Sequence, residues 1–170
     1  MNLIDVRRCY MNDNEWERTS SSYKDLMPLR DFNSFNENDE TPLEHYTRLK
    51  DRFNIPLEVI EQWFYPHYYN VDFVNNYGWL NFDNIAFELI DMSIKQIMNL
   101  EIFSSFESWV RSCESREAFE EFTCIEKDKN FWIKNKTWRI PPIVIDVSTL
   151  NNIPEYSEIK GMYQIVEGHK

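Results

Sequence analysis

Thr41-Pro42-Leu43-Glu44-His45-Tyr46-Thr47-Arg48-Leu49-Lys50-Asp51-Arg52-Phe53-Asn54-Ile55-Pro56-Leu57-Glu58-Val59-Ile60-Glu61-Gln62-Trp63-Phe64-Tyr65 reads as two helices joined by a tight turn. Thr41 supplies a capping hydroxyl, Pro42 takes the first helical position, and Glu44 stands where its carboxylate reaches back to the cap. Leu43, Tyr46, Leu49, Lys50 and Phe53 recur at three- to four-residue spacing, which predicts a helix over 42–53 with an apolar stripe. Asn54-Ile55-Pro56 ends it, and a second helix is predicted over 56–65, stopping at Pro66. The rhythm is that of a helix-turn-helix, whose second helix reads duplex DNA from its exposed face with Lys and Arg on nearby phosphates. Here that face offers Glu58, Glu61 and Gln62, and the next cation after Arg52 is Lys95. Phosphates would meet like charge, so the hairpin reads as a packed core element and not as a DNA reader.

Outward from the hairpin, helices are predicted over 83–98, with Ile85, Leu89, Met92 and Ile97 inward, and over 103–122, with Phe106, Val110, Phe119 and Phe122 inward. Residues 1 to about 40 look weakly organised, with Thr19-Ser20-Ser21-Ser22 and 33–40 as loops. Ile140 to Val147 is β-branched and proline-led, and Met162 to Val166 repeats that pattern after Gly161. Strands are therefore predicted over 142–147 and 162–167, paired with each other. The fold class is mainly α with a short C-terminal β element (α+β): a helical domain over 1–139 and a β element over 140–170.

Composition agrees. A chain of 170 residues, 42% hydrophobic and 16% aromatic, has the means to bury a core, and only 3 Gly count against a turn-rich β-sandwich. No stretch approaches the roughly 18 apolar residues of a membrane span. Asp5, Arg7 and Arg8 interrupt the first ten residues, so no signal peptide is read there. Cys9, Cys113 and Cys124 then read as reduced thiols of a cytoplasmic protein.

The chain's end carries the most specific pattern. Pro141-Pro142-Ile143-Val144-Ile145-Asp146, followed by Gly161-Met162-Tyr163-Gln164-Ile165-Val166-Glu167-Gly168-His169-Lys170, resembles the opening of the ParB/sulfiredoxin-like fold. Members of that family often show P-I-V-V-D and then G-x-Y-x-I-V-x-G-H-x-R, with an arginine at the position after Lys170 here. The resemblance covers about the last thirty residues. It implies that the turn after the second strand, Glu167-Gly168-His169, approaches the phosphates of a nucleotide or nucleic acid. Independently of it, Gly168 permits close backbone approach to an anion, and His169 can donate to phosphate.

Charge and aromatic content supply the other candidates. The net charge is -11, yet no Lys or Arg occurs from Phe53 to Ile94, where Glu58, Glu61, Asp72, Asp83, Glu88 and Asp91 stand. From Lys127 to Arg139 the balance reverses, with Lys127, Lys129, Lys134, Lys136 and Arg139 against Asp128, interleaved with Phe131, Trp132 and Trp138. Cations beside exposed rings bind phosphate and stack a base together; the bland alternative is a surface loop anchored by its tryptophans. Nine aromatics crowd Trp63 to Phe82; several must be core, and Tyr68, Tyr69, Tyr77 and Trp79 are candidates for a partner-binding patch. Glu114, Glu117, Glu120 and Glu121 read as a solvated helix face. His45, His67 and His169 are scattered, and no Cys or His pair has zinc-site spacing, so no metal or cofactor is assigned. No nucleophile elbow or glycine-rich phosphate loop marks a catalytic residue.

Two functional expectations follow. One is engagement of a nucleotide or nucleic acid through 127–139 and 167–169, with Lys134, Lys136, Arg139, Glu167, Gly168 and His169 in contact. The other is an acidic, non-catalytic helical module, of immunity or inhibitor type, that masks a basic partner surface with its acidic middle.

Overall fold

A serine run expected to be loop builds the first fixed point of the fold. In the computed structural model, which describes residues 13–30, 39–114 and 126–168, helix α1 (Asp13–Glu17) is followed by α2 (Ser21–Asp25). Ser20 caps α2: its hydroxyl oxygen accepts the Tyr23 amide at 3.0 Å, and the hydroxyl lies 2.6 Å from the Leu80 carbonyl, to which it donates. Ser22 Oγ accepts the Phe82 amide at 2.8 Å. Ser21 and Ser22 are thus helical, because a hydroxyl that satisfies an orphan amide favours a helix start. Tyr23 and Tyr68 lock the segment in place. Their rings stack at 4.8 Å, and each hydroxyl donates to the other's backbone carbonyl, at 2.7 and 3.0 Å. Burial pushes the Tyr23 phenol far above its ordinary range, so it remains a donor. Of the second expected loop, 33–38 lies outside the described residues.

Helix α3 (Pro42–Leu49) starts on the expected capping box, with the Thr41 amide donating to Glu44 Oε2 at 2.8 Å and the Glu44 amide donating to Thr41 Oγ1 at 3.3 Å. Its buried stripe is rotated from the expected one. His45, Leu49 and Phe53 face inward at i, i+4 and i+8, while Leu43 is 59% exposed. The imidazole wins the inward position because its Nε2 donates to the buried Leu26 carbonyl at 2.9 Å. Helix α4 covers 57–67 in three parts: Leu57–Val59, a π-helical stretch Ile60–Phe64, and a last turn Tyr65–His67. It passes through Pro66 instead of stopping there. The Tyr65 amide reaches back to the Ile60 carbonyl, so the ladder is widened just before the residue that has no amide to donate.

Helix α5 (Val71–Tyr77) is capped by Asn70 Oδ1 and turns Phe73, Val74 and Tyr77 inward. Trp63 packs edge-on against Tyr77 at 5.0 Å, and Phe64 edge-on against Phe82 at 5.2 Å. This aromatic cluster is the core of the first of two compact units, which divide between Ile90 and Asp91.

The helix expected over 83–98 is replaced. A 3-10 turn (Phe82–Asn84) is capped by Asn81, residues 85–93 have no regular structure, and α6 is only Ile94–Ile97. The helix starts late because Ser93 and Gln96 form the capping box there, with the Ser93 amide donating to Gln96 Oε1 at 2.9 Å. Of the residues expected to face inward, Ile85, Met92 and Ile97 are half-buried and Leu89 is 85% exposed.

The second unit holds α6, α7 (Ser104–Glu114), α8 (Glu126–Asn135), β1 (Ile143–Asp146) and β2 (Tyr163–Glu167). The sequence-based boundary at 139/140 marks a change in composition; among the described residues, β1 and β2 share this unit with the α-helices α6, α7 and α8. Glu158 satisfies the start of α7, accepting the Ser104 amide at 3.2 Å and its hydroxyl at 2.7 Å. Phe106 and Val110 are half-buried, and Phe119 and Phe122 lie outside the described residues. The two strands pair with each other as expected, and they do so antiparallel, with Ile143 opposite Glu167 and Asp146 opposite Tyr163. Glu101 adds a short parallel bridge on the other edge of β2, donating to the Tyr163 carbonyl and accepting the Ile165 amide, both at 2.9 Å. The described chain is therefore mainly α with one two-stranded sheet. No helix among the described residues is long and apolar enough to cross a membrane.

Candidate functional site

Helix α8 gives the basic stretch a rigid frame that periodicity did not reveal. Glu126 and Asp128 in its first turn and Lys134 in its last suit the helix dipole, while Lys127 and Lys129 beside the carboxylates oppose it. The chain leaves α8 through Lys136, held at φ 58°, whose amide donates to the Trp132 carbonyl at 2.7 Å. A left-handed residue at this place closes a helix, although the position more often belongs to Gly or Asn. Lys136 Nζ then sits 5.5 Å from the Trp132 ring centroid. Trp132 and Trp138 are 37% and 42% exposed, so neither serves as the buried anchor of a surface loop.

Lys134 and Lys136 are exposed, whereas Arg139 is half-buried and ion-paired with Asp128. That pairing divides the strip: Arg139 is tied to Asp128, and Lys134 and Lys136 are left exposed.

β-pairing brings the second half of the candidate site to the same place. Because Ile143 lies opposite Glu167, the exit of the basic stretch at Arg139–Pro142 and the turn at Glu167-Gly168 share one end of the ribbon. Gly168 has φ +99°, and a Cβ there would lie 2.7 Å from Pro142 Cβ. Close approach is thus used by Pro142 packing on the glycine, which fixes the two chain ends together. Glu167 is half-buried at the end of β2, and His169 lies outside the described residues.

The candidate partner patch is corrected. Tyr68, Tyr69 and Tyr77 are buried, since the core takes these rings, and half-buried Trp79 donates its indole N–H to the Asn76 carbonyl at 2.7 Å. The six carboxylates of the acidic middle, by contrast, are all exposed. Of the glutamate run on the longer expected helix, Glu117, Glu120 and Glu121 lie outside the described residues.

No family model, curated protein or solved structure matches this chain.

Sequence inspection missed one further cluster. His45 is fully buried, and among the described residues its Nδ1 has no hydrogen-bond partner. Burial pushes the imidazole down to about 4, with Arg48 and Arg30 adding to the effect and Glu40 and the Leu26 carbonyl opposing it. Glu40 lies beside it. Burial alone would raise that carboxyl, but hydrogen bonds from Arg48 and the Leu29 amide, with the charges of Arg48 and His45, hold it below its ordinary range. Arg48 grips it with Nε at 2.7 Å and an NH2 group at 2.9 Å. A histidine spaced like an apolar residue was the available signal.

Proposed function

We propose that this chain engages the phosphate of a nucleotide or nucleic acid at the ribbon end where the basic stretch enters β1. The observation that supports this reading is the pairing of Ile143 with Glu167, which sets Arg139–Pro142, the exit of the basic stretch, at the same end of the ribbon as the Glu167-Gly168 turn. The resemblance of 141–146 and 161–170 to the ParB/sulfiredoxin-like opening points to the same turn, and to binding ahead of catalysis. Charge partition supports it as well: residues 1–90 hold 8 Lys and Arg against 16 Asp and Glu, whereas 91–170 hold 10 against 13. The test is calorimetry with ATP and CTP on the wild type and on the double variant Lys134→Gln/Lys136→Gln. Binding that weakens severalfold in the variant supports the proposal, and heat of binding unchanged by it refutes this location.

The exposed carboxylates favour a second reading, an acidic module that covers a basic protein surface. Glu58, Glu61 and Asp72 project from α4 and α5 with no cation in their sequence neighbourhood, and exposed Leu89 adds apolar surface beside Glu88. Pull-down of a basic protein that is lost in Glu58→Gln/Glu61→Gln, with no nucleotide bound by the wild type, decides for this alternative.

A further inference from the structure

Resting on the phosphate-binding reading, we infer that the ligand is a single-stranded nucleic acid, gripped by Trp132 and Trp138 on either side of Lys136. The order ring, cation, ring is the point. Trp132 lies one helical turn before Lys136, about 6 Å along the axis, and Trp138 follows two residues later, within about 7 Å of extended chain. Both indoles are exposed, and Lys136 Nζ already sits 5.5 Å from the Trp132 centroid. A phosphate drawn to Nζ brings the bases on its two sides within reach of the two rings. A free nucleotide has one base and leaves one indole wet; a strand has a base on each side of every internal phosphate. Stacking of this kind tolerates any sequence, because every base has a π-face. Duplex bases are already stacked and offer no such face.

The face that carries the rings is compatible with this ligand. Lys129, Trp132 and Ile133 lie three and four residues apart on α8, Lys136 just past its end brings Nζ back over Trp132, and Asp128, the acidic residue nearest in sequence to Lys129, has its charge met by Arg139. DNA and RNA strands share the recognised chemistry, so decamers of thymidine and of uridine are the two probes.

Fluorescence anisotropy should show at least one decamer bound more tightly than ATP or CTP. Trp132→Ala and Trp138→Ala should each weaken decamer binding about fivefold or more, while Trp132→Phe keeps a stacking face and retains most of it. Lys134→Gln/Lys136→Gln should flatten the logarithmic salt slope by about 1.4, at about 0.7 for each phosphate that is no longer neutralised. Circular dichroism of each variant checks that α8 persists. Mononucleotides bound as tightly as decamers, with both tryptophan variants unaffected, would overturn the strand inference and leave the phosphate proposal standing. If neither decamers nor mononucleotides bind, both are refuted.

Discussion

Lowering the pH from 8 to 5.5 should weaken this fold through one imidazole. His45 is fully buried, donates from Nε2 to Leu26, and has no partner for Nδ1 among the described residues. Its protonated form would add a second donor with nothing to accept it, beside Arg48 and Arg30. The folded-state value is about 4 and the ordinary value 6.5. The unfolded chain therefore binds the proton first, and stability is constant above both values and falls as pH drops through 6.5 toward 4. At pH 5.5 an unfolded histidine of pKa 6.5 is about nine-tenths protonated and the folded one almost none. The loss relative to pH 8 is about 1.4 kcal/mol, from the unfolded protonation ratio of about tenfold. Glu40 does not interfere, because its carboxyl is held below its ordinary 4.5 and titrates beneath this window. A pH of 5.5 also stays above the pI of 4.7, which limits precipitation. With a urea slope of about 2 kcal/mol/M, the midpoint should fall by about 0.7 M between the two pH values. His45→Gln keeps an amide donor for Leu26 but cannot titrate, so its midpoint should shift by that much less. Equal pH shifts in the two proteins would show that His45 is not the titrating group.

Gly168→Ala places a Cβ at φ +99° and 2.7 Å from Pro142, so it should cost about 1–3 kcal/mol and lower the melting temperature by several degrees; an unchanged melting curve would show that the ribbon end relaxes freely. Glu58→Gln/Glu61→Gln should leave duplex DNA affinity negligible, because removing like charge supplies no cation to replace phosphate counterions. Salt-sensitive duplex binding by either protein, abolished in Gln62→Ala, would mean that the exposed face of α4 had been misjudged.

Legibility in the sequence followed the locality of the signal. The Thr41 capping box and the β-branched runs at 143–146 and 163–167 are local patterns, and each formed its element. The expected helix over 83–98 failed because apolar spacing was weighed above start signals; Ser93 and Gln96 cap a helix that starts at Ile94 instead of Asp83. Helix α8 was hidden for the opposite reason. Its residues mix Lys129 and Lys134 with Phe131, Trp132 and Ile133, so no apolar stripe announces it. Candidate residues divide on the same lines. Lys134 and Lys136 were legible as charge, but whether an aromatic in 63–82 is core or surface depends on contacts such as that of Tyr23 with Tyr68, which no local window contains.

Electrostatics decide whether a chain of net charge -11 can hold an anion at all. At physiological ionic strength fields decay over about 8 Å, so a phosphate at Lys136 responds mainly to its immediate neighbours. The charges nearest in sequence or at the same ribbon end are Lys134, the Asp128–Arg139 pair and Glu167, which together with Lys136 leave a surplus of one positive charge. At low salt the screening length grows to about 30 Å at 0.01 M, and distant carboxylates begin to repel the same phosphate. Added salt then removes long-range repulsion before it removes local attraction. The salt slope of the wild type should be shallower than its lysine count suggests. Repulsion from distant charge is nearly common to wild type and Lys134→Gln/Lys136→Gln, so it cancels in their difference. Comparison of the two slopes therefore isolates the phosphate neutralisation proposed for Lys134 and Lys136, where a single slope cannot.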